Sequence, residues 1–164
     1  MSSVTSDADR KRRRRRLTTS IKESLRELSI QLAQLNRQVG ARVELRDGDL
    51  ECLDMVNRHG AMSPSALARR AGLHPATMTG VLDRLERGGW ISRERDPADR
   101  RAVVVRAVRD RNAEMFRLYS GMNSSMDRLC AGYSDAQLQL LADFLSRTTD
   151  AGRAATDELA TGGS

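Results

Sequence analysis

Two short helices that meet at a glycine are the feature that most constrains how this chain can fold. A Ser-Pro pair at positions 63–64 and a His-Pro pair at positions 74–75 each place a polar capping residue before a proline, which is favoured in the first turn of a helix. The first helix is expected to stop at Gly72, and the second to continue to about Arg87. Because a tight turn containing glycine joins them, the pattern predicts a helix-turn-helix.

Two strand-like segments follow directly. Residues 90–95 and 102–108 are β-branched or aromatic runs, and the six residues between them begin with Asp96-Pro97, a pair that favours a turn. They predict a β-hairpin with a charged tip. A hairpin immediately after a helix-turn-helix is a wing, so the sequence predicts a winged helix.

A long apolar stripe precedes this block. Apolar residues recur at intervals of three or four, which is the spacing of one face of an α-helix about six turns long that ends at Gly40. A second helix is predicted over about Asp49 to Arg58, with Asp47 or Asp49 as its cap and Gly60 after its end. The stripe consists of Leu17, Ile21, Leu25, Leu28, Leu32, Leu35 and Val39.

Two further helices are predicted after the wing. One apolar stripe runs from Met115 to Tyr133 in steps of three and four, and Ser134-Asp135 caps the helix that follows. The long stripes exceed what one small domain can cover, so we expect them to join two copies of the chain. The residues assigned to that interface are Leu17, Ile21, Leu25, Leu28, Met122, Met126, Leu138, Leu141 and Leu145.

These elements define a mainly α fold with a minor β component, a winged helix-turn-helix with N-terminal and C-terminal dimerisation helices. Like-charge repulsion in the basic N-terminal run predicts disorder there. The expected organisation is a disordered basic arm at 1–16, the domain at 17–150, and a frayed tail at 151–164. Within the domain we expect the winged block at about 47–109 and dimerisation helices at about 17–40 and 111–149.

Positive charge is concentrated in two parts of the chain. The 28 Lys and Arg residues outnumber the 22 Asp and Glu residues, for a net charge of +6. Residues 1–16 hold seven basic and two acidic residues, and residues 60–111 hold eleven and six. A basic block that coincides with a winged helix indicates a nucleic-acid partner. The arm is interpreted either as a solubilising tail or as a non-specific DNA contact through Arg12, Arg13, Arg14, Arg15 and Arg16.

The second helix of the helix-turn-helix is expected to read DNA, because such a helix contacts base edges through its N-terminal end. Thr77 and Thr79 can donate hydrogen bonds and pack their methyl groups on thymine, and Ala76 allows close approach. Ser63 and His74 can also be explained as helix caps alone. The predicted DNA contacts on the two helices are Ser63, Ser65, His74, Ala76, Thr77, Thr79 and Arg84.

The wing tip supplies a second set of candidates. Asp99 and Arg101 are two residues apart, so the carboxylate can hold the guanidinium in one rotamer, and a pre-oriented arginine enters a narrow minor groove at a lower entropic cost. Arg100, Arg93 and Arg95 can contact phosphates. The alternative is a set of exposed intramolecular ion pairs of little energetic value.

Four segments of this region resemble the MarR family of bacterial transcriptional regulators. They are residues 63–68, 73–79, 82–91 and the wing motif at 96–101, which reads Asp-Pro-Ala-Asp-Arg-Arg. The resemblance is most specific between Ala61 and Val108 and extends over about residues 17–150. It implies a homodimer whose first and last two helices intertwine, with Arg101 entering the minor groove and Asp99 orienting it. The basic arm lies outside the family pattern.

The expected function is a sequence-specific DNA-binding transcriptional regulator, a homodimeric repressor on an inverted-repeat operator. The resemblance implies release by a small molecule, often phenolic or lipophilic, bound between the dimerisation helices and the winged domain. The alternative is a winged-helix module that binds protein or RNA and uses the arginine-rich arm. The partners expected are therefore double-stranded DNA, a second copy of the chain and a small-molecule effector.

Other chemistry is not expected. Cys52 is predicted to be a buried thiol, and Cys130 lies near the end of a dimerisation helix, so neither is assigned a redox role. Cys52 and His59 share a helix face but lack two further zinc ligands. No nucleophile elbow, P-loop or dinucleotide loop is present, so we expect no enzyme activity, cofactor or metal. A cytoplasmic protein without a membrane segment is expected.

Overall fold

The computed structural model describes residues 3–96, 99 and 101–162. Residues up to Leu118 form one compact unit, and residues from Tyr119 onward form a second. None of the described helices is long and apolar enough to span a bilayer. The elements are α1 (Ser3–Val43), α2 (Asp47–His59), α3 (Pro64–Ala71), α4 (Pro75–Arg87), β1 (Ile91–Arg95), β2 (Val103–Ala107), α5 (Arg109–Leu118), α6 (Ser120–Cys130) and α7 (Asp135–Thr161).

Helices α3 and α4 form the predicted helix-turn-helix. Ser63 Oγ accepts the N–H of Ala66 at 3.2 Å, and His74 Nδ1 accepts the N–H of Ala76 at 3.2 Å, so both predicted caps are confirmed. Between the helices, Gly72 adopts the left-handed conformation with φ 62° and ψ 29°. A side chain there would be strained, which is why glycine ends α3.

The predicted hairpin is also confirmed. Strands β1 and β2 pair antiparallel, with Arg95 opposite Val103 at the tip end. Met62, in the segment before α3, forms an isolated antiparallel β-bridge with Val105 of β2 through two backbone hydrogen bonds, of 2.8 and 3.2 Å. The hairpin is therefore joined, at the middle of β2, to the segment that leads into α3.

The core lies where α2, α3 and α4 meet the hairpin. It is built mainly from aliphatic side chains, as the low aromatic content requires, with one tryptophan. Asn112 is buried but satisfied, because its Nδ2 donates to the carbonyls of Trp90 and Val108 and its Oδ1 accepts from Asn57. The least exposed core side chains are Cys52, Leu53, Val56, Leu67, Met78, Leu82, Leu85, Trp90 and Val105.

The N-terminal arm differs from its prediction. Disorder was expected over residues 1–16, whereas α1 begins at Ser3 and continues through the arm without interruption. Arginine is a good helix former, and extending an existing helix requires no new nucleus. Lys11 also pairs with Asp7 one turn away at 2.9 Å. Helix propagation therefore outweighs the like-charge repulsion on which the prediction was based.

Gly40 does not end α1, which continues to Val43. Glycine is required there because the backbone of Leu45 lies close to α1: a Cβ atom at position 40 would lie 2.6 Å from the carbonyl oxygen of Leu45. The Gly40 carbonyl accepts the N–H of Leu45 at 2.9 Å. Glycine thus lets the start of the α1–α2 connection fold back onto α1.

Two C-terminal predictions also change. The single helix expected from Met115 to Tyr133 is divided at Tyr119 into α5 and α6, two residues before Gly121, which has low helix propensity. The apolar stripe keeps its phase across the division, so periodicity could not reveal it. The tail expected to fray after residue 150 is helical to Thr161, and the Ser134 cap of α7 is confirmed.

The two cysteines differ in accessibility. Cys52 is buried, as predicted, and Cys130 is half-buried. Desolvation raises the pKa of Cys52 from 9.0 to about 11, with smaller contributions from Asp49 and Glu51. An unfolded thiol ionises near pH 9, so this difference lowers the stability of the folded state as the pH rises from about 9 to 11.

We expect an alkylating reagent at pH 8 to modify Cys130 while leaving Cys52 unmodified, because the reactive species is the thiolate and Cys52 is both buried and protonated. Peptide mass spectrometry after timed labelling would measure the two rates. Unfolding in urea should bring the rates together. Equal rates in the native protein would contradict the burial of Cys52.

Candidate nucleic-acid interface

Helix α4 has a buried face and an exposed face. Met78 and Leu82 are almost fully buried in the core. At the N-terminal end, Ala76, Thr77 and Thr79 are exposed. The helix therefore presents small and hydroxyl side chains to the outside, without a bulky apolar residue among these three.

Hydrogen bonds within the protein determine which donors and acceptors of the predicted DNA contacts remain free. Thr79 Oγ1 donates to the carbonyl of Pro75 at 3.1 Å, so its hydroxyl is free to accept rather than to donate. His74 uses Nδ1 as an acceptor for the helix cap, which leaves Nε2 as the protonated nitrogen of the neutral ring. Ser63 and Ser65 share a hydrogen bond of 3.1 Å.

Arg84, predicted to contact DNA, is paired with a buried carboxylate of the protein. Its Nη2 and Nε donate to the two oxygens of Asp49 at 2.7 and 3.0 Å. The Asp49 side chain is 1% exposed and that of Arg84 is 34% exposed. The hydrogen bond to Asp49 raises the pKa of Arg84. This bidentate pair joins α4 to α2, so the structure places Arg84 in a structural role.

Arg93 is similarly engaged. Its guanidinium donates to Asp83 through Nη2, and its Nε lies 3.0 Å from Glu86 Oε2. Glu86 also accepts the backbone N–H of Arg93 at 3.3 Å. The hydrogen bond to Asp83 raises the pKa of Arg93. These contacts fix β1 against α4, so the phosphate contact predicted for Arg93 would require breaking them.

The wing tip differs in one detail from its prediction. Asp99 Oδ1 accepts the backbone N–H of Arg101 at 3.0 Å, where the sequence predicted a contact with the guanidinium. The carbonyl of Asp99 accepts the N–H of Ala102, and the carbonyl of Ala102 accepts the N–H of Asp96, each at 2.9 Å. The carboxylate thus fixes the turn and, through it, the starting direction of the exposed Arg101 side chain.

Two predicted wing contacts remain, Arg95 and Arg100. Arg95 is exposed at the end of β1, next to the tip. Arg100 lies outside the described residues. The exposed interface candidates that the structure brings to one winged helix are therefore Ser65, His74, Ala76, Thr77, Thr79, Arg95, Asp99 and Arg101.

Three acidic residues that organise this surface are not evident from the sequence. The sequence predicts Asp49 only as a possible helix cap and indicates no role for Asp83 or Glu86. Asp49 and Arg84 are 35 positions apart, a separation at which no local pattern predicts pairing. The alternation of acidic and basic residues on α4 was the available signal, but it is typical of any solvated helix.

A cleft of about 320 Å³ lies beside the Asp49–Arg84 pair. Its electrostatic character is cationic, since three arginines and one glutamate line it. The guanidinium of Arg111 stacks over the ring of Trp90 at 4.5 Å, which fixes one wall. The lining residues are Val43, Glu44, Leu45, Arg84, Arg87, Gly88, Trp90 and Arg111. Across the described part of the chain, no group of three His, Cys, Asp or Glu side chains is arranged to hold a metal ion.

Comparisons with known proteins agree with this architecture. Residues 45–103 match the model of the MarR family. YcgE of Bacillus subtilis, described as an uncharacterized HTH-type transcriptional regulator, is 35% identical over 97 residues, which cover 52% of this chain and 63% of YcgE. The chain thus spans less than two thirds of that relative's length.

Solved structures extend the likeness to the fold. A MarR family protein from Bacillus stearothermophilus has a TM-score of 0.64 at 18% identity, over 84% of this chain and 96% of that one. Wild-type MarR from E. coli in its apo form has a TM-score of 0.55 at 17% identity, over 76% of this chain and 92% of that one. Identities this low establish the fold alone. The match of residues 45–103 to the MarR family model and the likeness to these solved structures therefore agree on a winged helix.

Proposed function

We propose that the protein is a sequence-specific DNA-binding transcriptional regulator that acts as a homodimeric repressor on an inverted-repeat operator. The observation that carries this proposal is the winged helix itself. One end of α4 exposes Ala76, Thr77 and Thr79, and the neighbouring wing carries an exposed Arg101 on a turn fixed by Asp99.

We assign the following roles to the exposed residues. Thr77 contacts base edges through its hydroxyl and methyl groups, and Thr79 accepts a hydrogen bond from a base or contacts a thymine methyl. His74 donates from Nε2 to a phosphate at the start of α4, where the free helical N–H groups also favour an anion. Arg101 enters the minor groove, and Arg95 contacts the backbone beside it.

We expect Arg101→Ala to weaken specific DNA binding by about 1–3 kcal/mol, because it removes the group that enters the minor groove. Fluorescence anisotropy with a duplex obtained by selection would measure the change in Kd. Arg106→Ala is the matched control, since Arg106 lies on β2 and pairs with Glu94 at 3.1 Å. Equal effects of the two substitutions would remove the special role of Arg101.

Dimerisation is proposed from apolar side chains that remain exposed in a single chain. On α1, Leu17 is 56% and Ile21 is 44% exposed, at one-turn spacing. On α6 and α7, Met126 and Leu141 are 42% and 41% exposed. A solvent-exposed stripe of this length is unfavourable in a monomer, and a two-fold partner would cover it. Two reading helices would then lie about one DNA turn apart.

We expect Ile21→Asp to shift the protein from dimer to monomer at micromolar concentration, because it places a charge inside the proposed apolar interface. Sedimentation velocity would show the change. Ser20→Asp, on the neighbouring position of α1, is the control and should remain dimeric. A wild-type protein that sediments as a monomer at every concentration would contradict the proposal.

A small-molecule effector completes the proposal. The cleft beside the Asp49–Arg84 pair is cationic and has a tryptophan–arginine wall, so it suits a small aromatic anion. Such a ligand would compete with Asp49 for Arg84 and disturb the position of α4, which would release DNA. Thermal-shift screening of aromatic carboxylates, repeated with Arg87→Gln, tests whether this cleft binds them.

A further inference from the structure

We infer that the basic segment of α1, residues 10–16, binds duplex DNA outside the two half-sites of the operator. This inference rests on the proposed function. It concerns a part of the chain that the winged helix does not use, and that the structure shows as a continuation of α1.

The apolar stripe of α1 stops where the basic segment begins. Leu17 is the first residue of the stripe. The positions that would continue it toward the N-terminus, three, four and seven residues earlier, are Arg14, Arg13 and Arg10. The face that would pair two copies is therefore cationic here, so the segment extends beyond the apolar interface.

The charges of the segment are largely available. All seven side chains are exposed, and the ion pair described for them joins Lys11 to Asp7. The basic face continues past the segment: Lys11, Arg14, Arg15, Thr18, Thr19 and Lys22 line one shallow groove along the helix. The result is a row of cations and hydroxyl groups about three turns long.

The charge spacing favours duplex DNA. Seven consecutive basic residues give one positive charge about every 1.5 Å of helix length, distributed around the helix, so that each face is cationic; duplex DNA carries one negative charge about every 1.7 Å. Six of the seven are arginines, which can bind phosphate through two hydrogen bonds each. A lipid surface fits less well, because Ala8 is the only apolar residue from 7 to 16 and an interfacial helix needs an apolar face.

The length of α1 also sets the distance between the basic segment and the winged block. From Arg16 to Val39, which is buried at the junction with α2, there are 23 helical residues, or about 35 Å. That length is about one turn of DNA. A disordered arm could fold back onto its own half-site, whereas a continuous helix holds its basic end away from the winged block. We therefore place the DNA it contacts in flanking sequence or in a second duplex.

The experiment compares three DNA arrangements. The first is a selected operator trimmed to its half-sites, the second is the same operator with 20-base-pair flanks, and the third is the trimmed operator on beads with a fluorescent unrelated duplex added. The test variant replaces Arg12, Arg13, Arg14 and Arg15 with Gln, which has similar helix propensity. The control replaces four exposed arginines of the C-terminal helices, Arg117, Arg128, Arg147 and Arg153, with Gln.

We expect the wild type to bind the flanked operator about tenfold or more tightly than the trimmed one, or to capture the second duplex on beads. The first result identifies flanking DNA and the second a separate duplex. The test variant should bind the flanked operator no more tightly than the trimmed one. The slope of its log K against log salt concentration should be smaller by up to about 3–4. Its affinity for the trimmed operator should stay within about twofold of that of the wild type. The control variant should retain the gain.

Four results would overturn the inference. Binding of the trimmed operator with neither a flank effect nor capture would refute the segment's role and leave the proposed function intact. Equal losses in the test and control variants would show a general charge effect. A fluorescent structured RNA, added on the beads in place of the unrelated duplex and captured more strongly than it, would assign the segment to another partner. No binding to any operator would refute the proposed function as well.

Discussion

Arg84→Met is expected to lower the free energy of unfolding by about 3–5 kcal/mol, because it leaves a buried carboxylate without its partner. Asp49 is 1% exposed, so water cannot replace the two hydrogen bonds it receives from Arg84. The backbone N–H of Arg46, at 3.3 Å, is its other described donor and compensates only in part. Urea denaturation at fixed protein concentration, followed by the fluorescence of the single tryptophan, would measure the loss.

Two further variants separate the ion pair from its surroundings. Arg87→Met, on the same helix and exposed, should change stability by no more than about 0.5 kcal/mol. The double variant Asp49→Leu with Arg84→Met should recover much of the loss, because an apolar pair leaves no unpaired charge. If Arg84→Met were as mild as Arg87→Met, the pair would not stabilise the position of α4.

Leu53→Ala is expected to cost about 2–5 kcal/mol, since Leu53 is fully buried at the centre of α2 and the substitution leaves a cavity among well-packed neighbours. The same urea titration measures it. Leu159→Ala, at a site 81% exposed near the end of α7, is the matched control and should be almost neutral. Similar losses for both would mean that the winged block is not the folded core.

The sequence predicted the winged helix well because its signals are local. Ser63 and His74 cap helices through neighbours two or three residues away, and Gly72 ends a helix through its own φ angle. Each of these depends on a few adjacent residues, whose preferences are known. The hairpin is predictable for the same reason, because its strands are separated by a short turn.

The features that the sequence did not predict depend on contacts between separate elements, which a local sequence pattern does not reveal. The Asp49–Arg84 pair joins residues on different helices, and the roles of Asp83 and Glu86 depend on where β1 lies against α4. At the wing tip the spacing of Asp99 and Arg101 correctly placed the two residues together, but the carboxylate binds the backbone N–H. In α1 the charge run suggested disorder, while the continuity of the helix decided the outcome.

Selection of bound sequences from a random duplex pool by the purified protein shows whether it reads an inverted repeat. We expect enrichment of one short motif, present twice in inverted orientation with centres about 10 base pairs apart, as two reading helices of a two-fold dimer require. Arg101→Ala should enrich the motif less. A pool that remains random after repeated rounds, or a motif that occurs singly without a repeat, would contradict it.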